Sequence, residues 1–208
     1  MHNNNYSIRL ETPADYPEVE ALTREAFWNV YHPGCSEHYV LHYFCNREDF
    51  VRPLDFVMEK DGEIIGHIMY VWARILADNS GEIPIMTFGL ISIAPSYQRR
   101  GYGQALLAYS IKRARLLGVC ALCIERNIAF YGKSGFVVAS TRGIHYYAAP
   151  REAKVPCFLL KELQDGFLNG ITGTYHTPAG YFTDEKVTKK FDALFPPKAK
   201  LKLPGQLA

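Results

Sequence analysis

With 208 residues, 48% apolar and 21% charged, the chain is long enough for one domain with a substantial core and has a soluble globular profile. A formal charge of +2 gives no general attraction for nucleic acid or an anionic membrane. No apolar run reaches the roughly 18 residues a bilayer span needs.

The polar start, MHNNNYSIRLE, lacks the apolar stretch of a secretory signal, so a cytoplasmic location is expected. YSIRLET (6–12) alternates apolar and polar residues and predicts a first strand. A helix is then expected from Thr12 as cap and Pro13 at the first position, with Val19, Leu22, Ala26 and Phe27 on one face. A second helix is predicted over 36–45. Two β-rich runs flank Asp61-Gly62, the chemistry of a tight hairpin. NSGE makes another turn, and IPIMTFGLISI forms a strand ending before Pro95.

Residues 103–117 predict a helix whose apolar face carries Leu106, Leu107, Ser110, Ile111, Ala114 and Leu117, with Gly103 at its centre. Gly118 stops it, and VCALCIE is the next strand, so 85–124 reads as a right-handed crossover between parallel strands. A short helix near 127–134 and strands at GFVVAS and VPCFLLKEL follow, with 143–153 as loop between them. Near the C-terminus one amphipathic helix is expected, with Val187, Phe191, Leu194 and Phe195 in register, Thr183 as cap and Pro196-Pro197 as its end. The basic tail KAKLKLPGQLA is expected to be loosely held. The division predicted is a domain over 1–163 with a C-terminal extension over 164–208.

The five cysteines are scattered, which favours free thiols over a disulfide framework. Cys120 and Cys123 have the spacing of a redox or zinc pair. On a strand, however, positions three apart face opposite ways, so buried structural cysteines are expected there.

The stretch SYQRRGYGQALL (96–107) is the most informative. Gly101 and Gly103 allow a sharp turn and close backbone approach just ahead of a helix, whose first amides and dipole favour an anion. Arg99 and Arg100 add positive charge. A dinucleotide fingerprint fails at the third glycine, where Leu106 stands. A triphosphate loop fails too: GKS at 132–134 would need glycine at Asn127. An acyl-CoA pyrophosphate and a plain turn with solvated arginines remain.

LISIAPSYQRRGYGQALL, followed some way on by NIAFYGKSGF, resembles the signature of the GNAT superfamily of acetyl-CoA-dependent N-acetyltransferases. Gln98, Gly101 and Gly103 occupy the fixed places of the first motif; Ala129, Tyr131, Lys133, Gly135 and Phe136 occupy those of the second. The tail GTYHTPAGYF is similar to that of bacterial predicted N-acetyltransferases of this superfamily. One departure is that Asn127 stands closer to Tyr131 than the family's asparagine usually does. The resemblance implies an α/β (α+β) fold: a mixed, mostly antiparallel sheet flanked by helices, with a splayed parallel pair at its fourth and fifth strands.

It also implies direct transfer of an acetyl group from acetyl-CoA to a primary amine of a small molecule or peptide, without a metal. The pantetheine arm would follow Leu90, Ile91, Ser92 and Ile93, with Gly89 where a bulge would open the strands. The pyrophosphate would lie on Gln98, Arg99, Arg100, Gly101, Tyr102, Gly103 and Gln104, and Asn127 and Tyr131 would also meet the cofactor. Tyr131 takes the family's place for the acid that protonates the departing thiolate. Glu125, ending the fifth strand, is the carboxylate expected as base, or else a surface partner of Arg126 or Arg99 with a water chain to solvent in its place. His32, Cys35, His38 and His42 have zinc-ligand chemistry, but in the resemblance their segment covers the acceptor side, together with Trp28, Tyr31, Tyr39, Tyr43 and Phe44. A homodimer is common in the family. A non-catalytic acyl-CoA-binding module would share the loop and differ in releasing no coenzyme A.

Overall fold

The structure, a computed structural model, describes residues 5–206. Its elements are β1 (Ser7–Leu10), α1 (Tyr16–Phe27), α2 (Glu37–Phe44), β2 (Phe56–Lys60), β3 (Glu63–Ala77), β4 (Glu82–Ile93), α3 (Tyr102–Leu116), β5 (Ala121–Glu125), α4 (Ile128–Tyr131), β6 (Val137–Val138), β7 (Ile144–Tyr146), β8 (Phe158–Glu162), β9 (Gly173–His176) and α5 (Glu185–Asp192). Over the described residues they fall into two compact units, one of 5–69, 90–107 and 180–206, the other of 70–89 and 108–179, so β3, β4 and α3 each give one end to each unit. No helix among the described residues is long and apolar enough to cross a membrane.

In the first unit β1, β2 and the start of β3 form an antiparallel ladder. The predicted hairpin is there: Lys60 pairs with Glu63 across Asp61 and Gly62, whose φ angles of 53° and 86° are those of a primed turn. A register shift lies between Met58 and Glu59, while β4 runs unbroken through Gly89. The apolar faces of α1 and α2 supply Val19, Leu22, Leu41 and Phe44 to a core shared with Phe56 and Ile68.

Helix α1 starts one turn later than Thr12 predicts. The Asp15 carboxylate takes both the amide and hydroxyl of Thr12, at 2.8 and 2.7 Å, and a two-pronged contact from Arg9 at 2.7 and 2.8 Å. The Arg9 guanidinium holds the Asp15 carboxyl well below the usual carboxylate range. Thr12 is therefore a turn residue, and Pro17 opens the helix.

At the other end of the chain, Asp184 rather than Thr183 caps α5, accepting from the amides of Lys186 and Val187. The expected apolar stripe is rotated: Val187 and Leu194 are 43% and 78% exposed, while Thr188 is buried. Phe191 and Phe195 face His38, with ring centres 5.4 and 5.2 Å away. The basic tail is held down over its described part. The Ala199 carbonyl accepts from Trp28 Nε1 and Asn29 Nδ2, and Asn29 Oδ1 accepts from the Leu201 amide. Residues 207 and 208 of the tail, and 1–4 of the polar start, lie outside the described residues.

In the second unit the latter half of β3 pairs antiparallel with β9 from Arg74↔His176 to Ala77↔Gly173. The path then runs β3-β4-β5-β8-β6. The predicted crossover is present, and the parallel β4–β5 ladder is short, registered at Met86↔Leu122. Strand β5 makes its long ladder with β8 instead, from Ala121↔Glu162 to Glu125↔Phe158. The segment expected as loop at 143–153 contains β7, which lies parallel to β9. Gly173 permits the close pairing of β9 with β3, since a Cβ there would overlap the Leu76 carbonyl of β3. Ile75, Ile85, Cys123, Phe158 and Tyr175 fill the core between these strands. All five cysteines are free; Cys123 is buried as expected, but Cys120 is only half-buried and precedes the strand.

Candidate active site

In the first unit, β4 ends at Ile93 and a single 3-10 turn at Pro95–Tyr97 leads into the glycine loop. Gln98 braces that loop, donating from Nε2 to the Ile93 carbonyl at 3.0 Å. Arg99 and Gly101 both adopt left-handed backbone, with φ of 60° and 90°. Such a conformation is costly for arginine and free for glycine, and it folds the chain sharply. The first bond of α3 runs from the Ala105 amide to the Gly101 carbonyl at 3.0 Å. By position, the amides of Tyr102 and Gly103 precede it and receive no acceptor from the helix.

Arg99 and Arg100 are exposed, and the Arg100 guanidinium lies 5.8 Å from the Tyr97 ring centre. Tyr102 is buried edge-on against Tyr6 and Tyr97. Leu106, Leu107, Ser110, Ile111 and Ala114 are buried as expected, with two exceptions to the predicted face. Gly103 is half-buried at the helix start with Gln104, and Leu117 lies past the helix end, 51% exposed. Of the preceding strand, Leu90, Ser92 and Ile93 are buried and Ile91 half-buried. Ser92 Oγ meets Thr23 Oγ1 of α1 at 2.9 Å, a buried hydroxyl pair that no local pattern announces.

In the second unit Tyr131 ends α4, is 5% exposed, and stands among Phe88, Phe130 and Phe136, with ring centres 5.9, 4.8 and 5.8 Å away. Asn127 is the N-cap of that helix, its Oδ1 accepting from the Ala129 amide at 2.8 Å. Gly135 ends the next turn in left-handed backbone, and Phe136 is buried. The motif around Tyr131 is thus a compact packing unit with the tyrosine inside it.

Glu125, at the end of β5, is half-buried. Its carboxylate accepts from the Tyr146 hydroxyl at 2.8 Å and from the Thr177 hydroxyl at 2.6 Å. Arg126 bonds the Glu125 backbone carbonyl, not the carboxylate. Burial, with the adjacent Glu125, pushes the Tyr146 phenol above its ordinary range. Tyr146 comes from β7 and Thr177 from just after β9, so sequence reasoning missed both with the strands that carry them.

The residues weighed as a zinc set are divided, all within the first unit. His42 pairs with Glu20 at 2.8 Å, and His32 is half-buried with Nδ1 3.3 Å from the Pro33 carbonyl. Cys35 Sγ and His38 Nδ1 meet at 3.3 Å, and His38 Nε2 lies 3.4 Å from Asp192. His32, Cys35 and Asp192 line a cleft of about 430 Å³ with Glu185, Lys189 and Lys200. Its carboxylates are already matched by cations, Asp192 by Arg24 and Lys200, and Glu185 by Lys189. The charge balance therefore does not favour an ammonium ligand there.

Burial pulls His38 down to about 4; Asp192 opposes this, and Arg24 and Lys200 add to it. The unfolded chain then binds a proton near pH 6.5 that the folded chain refuses until about pH 4. Stability from this group is full above pH 6.5 and lost as pH falls toward 4, on the order of 3 kcal/mol in all. In denaturant titrations His38→Gln should flatten the acid loss of stability by about that amount. An unchanged slope would show that His38 is not its source.

The profile of the acetyltransferase (GNAT) family matches residues 20–136. The chain is 28% identical over 172 residues to the uncharacterized N-acetyltransferase YhbS of Escherichia coli K12, covering 81% of this chain and 95% of YhbS. The crystal structure of Escherichia coli YhbS in complex with CoA shares the fold, with a TM-score of 0.72 at 20% identity over 85% of this chain and 91% of that one. So does a GNAT family acetyltransferase from Brucella melitensis in complex with acetyl-CoA, with a TM-score of 0.68 at 19% identity over 86% and 100% of the two chains. A family profile spanning more than half the chain, on this strand order, means that the chain belongs to the GNAT family of acetyltransferases.

Proposed function

We propose that the chain transfers the acetyl group of acetyl-CoA directly to a primary amine of a small molecule or peptide. The observation that carries this reading is the loop at 98–104. Left-handed backbone at Arg99 and Gly101 turns directly into the start of a 15-residue helix, with two arginines at the rim. Amides at that position, with the helix dipole behind them, suit a pyrophosphate. The CoA and acetyl-CoA in the two structures named above support the ligand's identity.

In this reading Leu90–Ile93 offer strand backbone to the pantetheine arm, and the loop from Arg99 to Gly103 holds the pyrophosphate. The amine nitrogen attacks the acetyl carbonyl while Glu125 accepts its proton. As the carbon–sulfur bond breaks, Tyr131 gives a proton to the departing thiolate. Asn127 supports Tyr131 by capping its helix. The amide product and free coenzyme A then leave.

Acetyl-CoA at 100 times its Kd should raise stability by about 2.7 kcal/mol, roughly 5–10 °C in Tm for a chain of this size. Absence of a shift with both acetyl-CoA and CoA at millimolar levels would refute the cofactor assignment. A shift without release of coenzyme A thiol across an amine panel would refute catalysis and leave a binding module.

A further inference from the structure

A second cluster lies in the first unit, within its three-stranded ladder. Leu10↔Phe56 is the last pair of the β1–β2 ladder, and the next residues, Glu11 and Asp55, are tied by a backbone bond of 3.0 Å. His67 of β3 stands opposite Val57. These three side chains converge: His67 Nε2 lies 2.9 Å from Asp55 Oδ1 and 3.4 Å from Glu11 Oε2. One ligand-type atom from each falls within 4.8 Å of the other two. All are deeply buried, with side-chain exposures of 0% for His67, 5% for Asp55 and 1% for Glu11.

Two features set this cluster apart from an ordinary buried ion pair. Neither Glu11 carboxylate oxygen accepts a hydrogen bond, although both are buried and one is aimed at His67. Leaving both oxygens of a buried carboxylate without a hydrogen bond is costly. The charge of the donor set also matches a dication. Two carboxylates, a neutral imidazole and a divalent cation sum to zero.

We propose that Glu11, Asp55 and His67 form a site for a divalent cation of the zinc class, a buried clip joining β1, β2 and β3. One nitrogen and two oxygens suit that class, and three protein ligands leave a fourth position for water. Tetrahedral ligands at 2.0–2.2 Å from zinc stand roughly 3.3–3.6 Å apart. The 3.4 Å edge to Glu11 already fits, and the 2.9 Å edge to Asp55 needs a few tenths of an ångström of movement. With no side chain of the trio open to solvent, the ion would enter as the chain folds.

The test uses the untagged full chain, unfolded with chelator, refolded with Zn²⁺, and desalted before metal analysis. One Zn²⁺ per chain with a raised Tm is expected, and Glu11→Gln should weaken retention by at least about tenfold. His32→Gln with His42→Gln, which removes two imidazoles outside the trio, should leave retention unchanged. Equal retention in Glu11→Gln, or negligible uptake by the folded wild type, would overturn the site. If Glu11→Gln does not fold, Co²⁺ in the wild type decides. Intense four-coordinate visible bands support the site, and the weak spectrum of hydrated Co²⁺ overturns it.

Discussion

Tyr131→Phe is expected to lower kcat for amine acetylation at least about 100-fold while moving the KM for acetyl-CoA by no more than a few-fold. The argument starts with the leaving group. A thiolate departing from the acetyl carbon has a conjugate acid near the thiol reference value of about 8.5, and a phenol's reference is about 10. Proton donation from tyrosine is therefore only slightly uphill, and it removes a full negative charge from the reacting sulfur. General acid catalysis of this type contributes roughly 10²- to 10⁴-fold. Phenylalanine keeps the ring that packs on Phe88, Phe130 and Phe136, so the fold should survive with little change in Tm. Loss of kcat with intact acyl-CoA binding would separate a proton donor from a packing residue. Unchanged kcat would remove Tyr131 from the chemistry and leave it as part of the aromatic core.

The parts of the fold legible in the sequence are those decided by local chemistry. Asp61-Gly62 can hardly be anything but a hairpin, because both residues must take positive φ. The crossover from β4 to β5 was readable from a long helical period between two apolar strands, and the loop at its start from two glycines and a stop in the strand. Strands β6, β7 and β9, of two, three and four residues, are defined by their partners more than by their own patterns. GFVVAS promised a longer strand than forms, and IHY looked like loop, since neither is long enough to show a period. The start of α1 was misread for a different reason. Thr12 and Pro13 are good opening residues, but Arg9 recruits Asp15 into an ion pair that keeps the preceding turn non-helical. The loosely held tail failed similarly, because Trp28 and Asn29 reach it from far away in sequence.

The same division runs through the candidate site. The loop residues and Tyr131 sit in contiguous motifs that a linear reading can single out, whereas the hydroxyls holding Glu125 do not. The trio of Glu11, Asp55 and His67 left no trace in the sequence either, since their meeting depends on the register of three strands. Residues that depend on sheet register are the ones a linear reading loses.

The second large effect is expected at Glu125, and its pH dependence distinguishes a base from a structural anchor. Glu125→Gln keeps the size and planarity of the side chain. The hydroxyls of Tyr146 and Thr177 can each turn from donor to acceptor, so the amide can be held where the carboxylate was. The fold should then persist, and near pH 7 the rate should fall by roughly 10²-fold or more. A lysine-like acceptor has a reference pKa of about 10.4, so only about one molecule in a few thousand is neutral at pH 7. An enzyme with a base can use the abundant ammonium form. Without one, kcat/KM should track the neutral fraction and rise about tenfold per pH unit until the amine's own pKa is reached. The deficit of Glu125→Gln relative to wild type should therefore shrink steadily between pH 7 and 9. A deficit that stays constant with pH, accompanied by a lowered Tm, would instead assign Glu125 to holding β5, β7 and the segment after β9 in place. An acceptor of lower pKa gives an independent check on the same variant. With an aromatic amine already neutral at pH 7 there is no proton to remove before attack, and the base model requires most of the deficit to vanish at a single pH.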